Sequence, residues 1–430
     1  MHTVLGFGLV TGSVFFISPA SLRAAEVKIV TDSAGRHTLL RDGKHYMVKG
    51  ACWPTAASVE SLVASGGNSV RTYAEEIEWM LPLAKKHGLS VMLGLPIGRE
   101  RQGYDYTNQA ANDAQLEILR GWVRRYKNEP NLLMWAIGNE PELMGKNTVP
   151  LWKEVGRIAR MIREEDPHHP IVTVIAGFDE RKIKEIITYS SELDALGVNW
   201  YGEADKWPDD LRKFGWNKPY LITEFGPLGF WEGSGNAPNT SWGAPPELTS
   251  TEKASLYAKT WKQGVTDRLG QSLGGYPFIW YWKQEKTPTW FGMYLKSGER
   301  LAAVEAMSLV WRGKNFDNPA PEILSWELKK QTGEFKPQER LKILFTYRCN
   351  RPVNVKIELH EESTAEEVGG DAQAAAKHYE DYPWKKTVEG IEMRAPKTPG
   401  NYRIFLYLKT DDKTAATANV PIRVIKTIPK

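Results

Sequence analysis

Two glutamates, Glu140 and Glu224, stand where acid–base and nucleophilic work at an acetal carbon would need them, each close behind a run of apolar residues. Residues 132–137 are almost unbroken in apolar character, the pattern of a parallel strand buried on both faces, and Gly138 then lets the chain turn as Asn139 and Glu140 arrive. Glu224 follows Leu221-Ile222 and precedes Gly226-Pro227, a natural exit from a strand. In a barrel of parallel strands, reacting groups sit where strands pass into loops at the carboxyl face. Two such carboxylates are the minimum for breaking a glycosidic bond: one protonates the leaving oxygen while the other attacks or stabilises the anomeric carbon.

The chain around them repeats one plan, a short apolar run followed by an amphipathic helix, which predicts βα units and a parallel sheet. Strands are expected at 46–52, 69–73, 90–95, 132–138, 171–176, 195–200, 220–223 and 275–281, with the clearest helices at 75–87, 112–126, 151–165, 251–268 and 300–310. Trp152, Val155, Ile158, Ala159 and Ile162 recur at three and four residues, a stripe that faces a sheet. Eight such pairs predict a closed (β/α)8 TIM barrel. A doubly wound sheet would call for a glycine-rich phosphate turn after its first strand, and Gly50-Ala51-Cys52-Trp53-Pro54 is not one. Ahead of the barrel, Asp42-Gly43, flanked by 36–40 and 44–48, predicts a hairpin that lids the barrel floor.

From Asn318 the texture changes. Pro319 and Pro321 mark a linker, and alternating segments at 323–328, 341–347, 353–359, 401–408 and 417–424 predict a small immunoglobulin-like β-sandwich. Tyr402, Ile404, Leu406 and Leu408 fall on one face of it. Residues 360–381 read as an inserted loop whose charges are solvated. The domain plan is therefore a leader over 1–25, a barrel with its hairpin over 26–317 and a sandwich over 318–430.

Composition excludes several classes of function. A net charge of +4 over 430 residues, with no basic run interleaved with aromatics, argues against a nucleic-acid partner. The 17 Trp and 17 Tyr, many near strand ends, suit the apolar C–H faces of sugar rings. Residues 4–17 form an apolar stretch of export-signal length, followed by the small residues Ala20, Ser21, Ala24 and Ala25, so a secreted or periplasmic location is expected, with no membrane span once the leader is removed. No Cys lies near that site, which argues against a lipid anchor. Cys52 and Cys349, in different domains, are expected to be free thiols. His87, His168 and His169 show no ligand spacing with carboxylates or cysteines, so no metal and no cofactor is called for. A monomer is expected.

Residues 135–141 and 221–226, on the fourth and seventh strands, resemble the signatures of clan A retaining β-glycosidases, the clan that includes the family 2 and family 5 barrels. The resemblance implies that Glu140 is the acid/base and Glu224 the nucleophile, that Arg71 pairs with the nucleophile and Tyr201 hydrogen-bonds it, and that Asn139 binds the sugar 2-hydroxyl. A Trp closing strand eight would floor the sugar site, either Trp280 or Trp282. A cation beside Glu224 would favour its ionised form, while Glu140, facing that anion in a partly dry cleft, would have its pKa raised. A retaining mechanism would hold the two carboxyl groups about 5 to 5.5 Å apart. Glu142, Glu203 and Glu285 are read as structural.

Two long loops at the catalytic face carry aromatics suited to a chain of sugars: 97–108, with Arg99, Arg101, Tyr104 and Tyr106, and 225–249, with Phe230, Trp231 and Trp242. Trp290 and Phe291 add to the rim. These point to an endo-acting enzyme on a polysaccharide or oligosaccharide. A barrel followed directly by an immunoglobulin-like domain resembles the endo-β-1,3-glucanases of family 158, whereas the large sandwich that usually precedes family 2 exo-enzyme barrels is not in this sequence. The alternatives are an exo-β-glycosidase or transglycosylase on another β-linked glycan such as mannan or galactan, since a covalent intermediate can be intercepted by a sugar, and a sugar-binding barrel without turnover. The sandwich itself reads as a spacer.

Overall fold

The computed structural model describes residues 24–74, 76–232, 239–365 and 370–426. All but two residues of the expected leader lie outside these. Eight parallel strands close into a barrel: β1 (Val48–Cys52), β2 (Ser69–Arg71), β3 (Ser90–Leu95), β4 (Leu132–Ile137), β5 (Ile171–Ala176), β6 (Ala195–Tyr201), β7 (Tyr220–Gly226) and β8 (Ser272–Pro277), with β8 returning to β1. Every residue of β3, β4 and β7 is buried, which is why those runs lack a polar alternation. Helices α1 (Val59–Ala64), α2 (Ile77–Lys86), α3 (Gln109–Tyr126), α4 (Val149–Glu165), α5 (Glu180–Tyr189), α6 (Trp207–Lys213), α7 (Ser250–Gly264) and α8 (Ala302–Arg312) form the outer ring. The stripe of α4 packs inward as its spacing requires, with all five apolar residues buried. α7 begins at a capping box in which Thr249 and Glu252 satisfy each other's backbone N–H.

The hairpin turns at Asp42 and Gly43, both at positive φ (50° and 72°), and its strands His37–Arg41 and Lys44–His45 join Val27–Thr31 in a three-stranded sheet. That sheet bonds to the loops that feed β4, β5, β7 and β8: Arg41 donates to Pro130 O, Val27 N to His168 O, and the His37 ring meets Asn217 O while its N–H meets Gly270 O. It therefore closes the amino end of the barrel.

Strand β8 ends at Pro277, not at residue 281. Beyond Pro277, Phe278 N still bonds to Phe225 O of β7 and Trp280 N to Cys52 O of β1, but Ile279 N turns away to Phe291 O of the loop that follows, which ends the regular strand.

The C-terminal domain is a sandwich of a four-stranded and a five-stranded antiparallel-rich sheet. The five expected segments are strands, joined by Glu334–Phe335, His378–Tyr379, Trp384–Lys386 and Gly390–Arg394, which the sequence reading missed. Strand Gly400–Lys409 is buried on both faces. Tyr402, Ile404, Leu406 and Leu408 fill the sandwich core, while Phe405 and Tyr407 pack with Leu295 and Leu301 of the barrel. Beside them lies a buried polar lock. Arg403 donates to Glu362, to Asn419 Oδ1 at 2.7 Å and to Pro245 O at 2.8 Å, and Glu247 accepts from Lys253, Thr287 and Thr289. Removing one partner of a buried ion pair leaves the other charge uncompensated, so Arg403→Ala should destabilise the protein by about 3–5 kcal/mol, read as a lower urea midpoint.

Candidate active site

The barrel ends gather the two glutamates. After β4 the chain makes a tight corner, with Gly138 at φ 71° and Glu140 at φ 49°, and the Glu140 N–H is anchored on Val174 O of β5 at 2.9 Å. A non-glycine residue in the left-handed region is uncommon and is a form of strain found at working sites. In β7 the register against β6 slips between Ile222 and Glu224, so Thr223 is an extra residue and the strand bulges. The bulge frees Thr223 O to accept from Arg71 Nη1 at 2.8 Å and sends Glu224 to the barrel mouth.

Arg71, at the end of β2, is 1% exposed and organises the site. Its Nη1 donates to Glu224 Oε1 at 2.9 Å and its Nη2 to Asn139 Oδ1 at 2.6 Å. Tyr73 donates to the same Glu224 oxygen at 2.8 Å and Tyr201 to Oε2 at 2.6 Å. Burial first, and then neighbouring negative charge including Glu224, hold both phenols well above their usual pKa, so they stay donors. Asn199 Nδ2 donates to Glu140 Oε1 at 2.8 Å and to Asn139 Oδ1 at 3.1 Å, while Thr223 donates to Asn199 Oδ1. With two donors on Asn139 Oδ1, its amide Nδ2 is left for a ligand. Burial, followed by the charge of Glu224, raises the Glu140 carboxyl to about 7.

A cleft of about 940 Å³ opens over this network, with Asn139, Glu140, Tyr201 and Glu224 on its floor and Trp53, Trp231 and Phe278 among its walls. Trp231 and Trp53 are half-exposed, as a stacking platform must be. Trp280 and Trp282 are not in this cleft, contrary to expectation. Because β8 ends early, Trp280 is swung behind the barrel wall, stacked on Trp311 of α8 (5.7 Å, 13°) and donating to Ser58 O and Ser61 of the α1 region. Trp282 donates to Pro288 O and lines a separate groove against the sandwich. Phe278 stands at the strand-eight position of the cleft instead.

Of the other carboxylates, Glu142 ties the β4 loop to Ala176 N and Lys182, and Glu203 pairs with Lys259 at the surface, both structural. Glu285 differs from the expectation: it lines the cleft, paired with Lys283 at 2.6 Å. On the rim loops, Arg99 reaches the cleft, but Tyr104 and Tyr106 pack on each other (4.7 Å), Phe230 braces Trp231, and Trp242 sits against the sandwich. Tyr73 and Asn199 were missed, although a signal existed: each lies two residues from an assigned strand-end residue, Arg71 and Tyr201, and so shares its face. Cys52 and Cys349 are free. Burial pushes the Cys52 thiol, under Arg71, up to about 12.

The raised Glu140 has a consequence for stability. Below about 4.5 the carboxyl is protonated in both states and contributes nothing; between about 4.5 and 7 it ionises in the unfolded chain but not in the fold, so stability falls across that window and the loss is complete above 7. Glu140→Gln should therefore melt higher than the wild type at pH 8 and at the same temperature at pH 4.

Residues 58–240 match the family profile described as glycosyl hydrolases family 2, TIM barrel domain. A β-glucuronidase of Paenibacillus borealis is 30% identical over 186 residues, 37% of this chain and 29% of that protein. A mannan endo-1,4-β-mannosidase F of Aspergillus clavatus is 23% identical over 129 residues, 26% and 29% of the two chains. Among solved structures, β-glucuronidase 2 of Bacteroides uniformis, covalently bound to cyclophellitol-6-carboxylate aziridine, superposes with a TM-score of 0.52 at 15% identity, covering 94% of this chain and 48% of that one. A family 2 β-galacturonidase of Eisenbergiella tayi, bound to galacturonate, gives 0.50 at 18% identity, covering 68% and 55%. The chain spans 29% of the length of both curated relatives and about half that of these structures. The likeness to the structures is one of fold, and the barrel resembles that of the clan A glycoside hydrolases of family 2.

Proposed function

We propose, from a barrel of the family 2 glycoside hydrolase type, that this chain cleaves β-glycosides with retention of configuration. The observation that carries the reading is the opposed environment of two strand-end carboxylates: Glu224 accepts from Arg71, Tyr73 and Tyr201, while Glu140 is buried and held protonated up to about pH 7. Glu224 attacks the anomeric carbon as the bond to the leaving oxygen breaks, and Glu140 gives that oxygen its proton. Glu140, now a base, takes a proton from water, which displaces Glu224. Asn139 Nδ2 would hold the sugar 2-hydroxyl, and Trp231 and Trp53 would stack on rings.

For the substrate we favour a neutral glycan, and within that class internal cleavage of a β-1,3-glucan. Among the described residues, the cations lining the cleft, Arg99 and Lys283, each have a carboxylate partner, Asp371 and Glu285. Neither is left to neutralise a sugar acid. A uronide is the second reading, since relatives named for glucuronide and galacturonide cleavage are among those matched. An exported location goes with a polysaccharide substrate and with the apolar leader.

Aryl β-glucoside, mannoside, galactoside and glucuronide, beside β-1,3-glucan, β-1,4-glucan and mannan, form the deciding panel. A 2-deoxy-2-fluoro glycoside of the accepted sugar should label Glu224, and the first-formed product should be the β-anomer; an α-anomer or a label elsewhere sinks the mechanism. Glu140→Gln should lower kcat about 10²- to 10⁴-fold where the leaving group needs a proton, and far less for a dinitrophenyl glycoside. Because Glu140 must be protonated to act as acid, kcat/KM should fall as pH rises through about 7.

A further inference from the structure

The cleft has a wall that the barrel does not supply. Gly370, Asp371 and Ala372 of the sandwich domain line the same cavity as Glu140 and Glu224. We infer, resting on the glycosidase reading, that the C-terminal domain completes the substrate cleft and that Asp371 is a specificity-determining residue, binding hydroxyls of a neutral sugar beyond the one being cleaved.

Asp371 and its described neighbours are bonded to the barrel from two sides. On one side Asp371 Oδ1 accepts from Arg99 Nη1 at 3.3 Å, Arg101 Nη2 at 3.3 Å and Gln102 Nε2 at 3.4 Å, all on the loop between β3 and α3. On the other, the loop after β8 reaches it through Lys283 Nζ to Gly370 O (3.3 Å), Lys286 N to Gln373 Oε1 (2.6 Å) and Lys286 Nζ to Ser363 O (3.0 Å). Arg101 also contacts the backbone oxygen of Glu140 at 3.4 Å, so Asp371 lies one residue away from the acid/base.

The chemistry follows from what is left over. Three donors share Oδ1, and Oδ2 makes no hydrogen bond among the described residues although Asp371 faces the cavity. A carboxylate oxygen of this kind accepts from a sugar hydroxyl, and the Arg99 and Gln102 donors beside it can give to a neighbouring hydroxyl oxygen. The three donors already offset the Asp371 charge, so the wall suits a neutral diol, not a cation. Its position on the rim, away from the Arg71 network, places it against a unit further along the chain.

The test compares wild type with Asp371→Ala and Asp371→Asn in the full chain. The substrates are an aryl β-glycoside and tetramers of β-1,3-linked glucose, β-1,4-linked glucose and β-1,4-linked mannose. For the tetramer that the wild type prefers, the ratio of its kcat/KM to that of the aryl glycoside should fall about 10- to 100-fold, the effect of losing one charged hydrogen bond, mostly through KM. Asp371→Asn keeps a carbonyl acceptor for the three donors and turns the free oxygen into a donor, so it should give a similar fall at an unchanged melting temperature. An unchanged ratio in either variant, or an equal loss on both substrates, overturns the inference. Calorimetric binding of the same tetramers to Glu224→Gln, with and without Asp371→Ala, separates the two readings. Weaker binding with Asp371→Ala supports the wall even if the wild type turns nothing over; no binding of any tetramer, or equal binding, refutes it.

Discussion

Holding a guanidinium and two carboxylates at the mouth of a closed barrel is unfavourable unless each finds a partner, and the arrangement of the rim follows from meeting that condition. Arg71 is nearly without solvent, so its charge depends on Glu224, Thr223 O and Asn139. Those partners come from the ends of β4 and β7, three strands apart around the ring. Satisfying one buried cation therefore sets the positions of three strand ends. Asn199 and Thr223 extend the same chain of bonds to Glu140. The two carboxylates sit in one network but are treated differently by it: the cation and phenols gather on Glu224, and among the described residues Glu140 has one side-chain donor, the Asn199 amide.

The parts that sequence made legible are those ruled by local repetition. An apolar run over Leu132–Ile137 ahead of Gly-Asn-Glu marks β4, a shorter one over 220–222 ahead of Thr-Glu-Phe-Gly marks β7, and the spacing on α4 marks its buried face. Asn139, Tyr201, Glu140, Glu224 and Trp231 all line the cleft, with Arg71 buried beneath Glu224 and Asn139. Trp280 and Trp282 do not, because their placement depended on where β8 stops, and that is decided by the bond of Ile279 to Phe291, which leaves no local trace. Asp371 was hidden for the same reason. In sequence it is one acid among several in a polar stretch; only the docking of a second domain brings it beside Arg99 and Arg101.

That docking is a matter of two kinds of surface. Phe405 and Tyr407 alternate with the core residues of their strand, so a single strand serves two hydrophobic interiors at once. The bonds of Arg403 to Pro245 O and of Thr417 N to Ser250 Oγ set the register between them, since both require one alignment of the chain entering α7 against the sheet. Apolar area supplies the attraction, and the polar lock supplies the fit.

The double burial of strand Gly400–Lys409 bears on how this architecture can vary. A domain joined by a flexible tether can be lost, swapped or duplicated without harm to its neighbour. Here the linker is itself fastened, with Arg300 on Asn318 and Arg351 on Pro319, and the strand's barrel-facing side would be bare if the sandwich were freed. The sandwich is thus not a detachable cassette. Barrel and sandwich form one unit, in which changes that reshape the mouth of the cleft can arise in a domain outside the barrel.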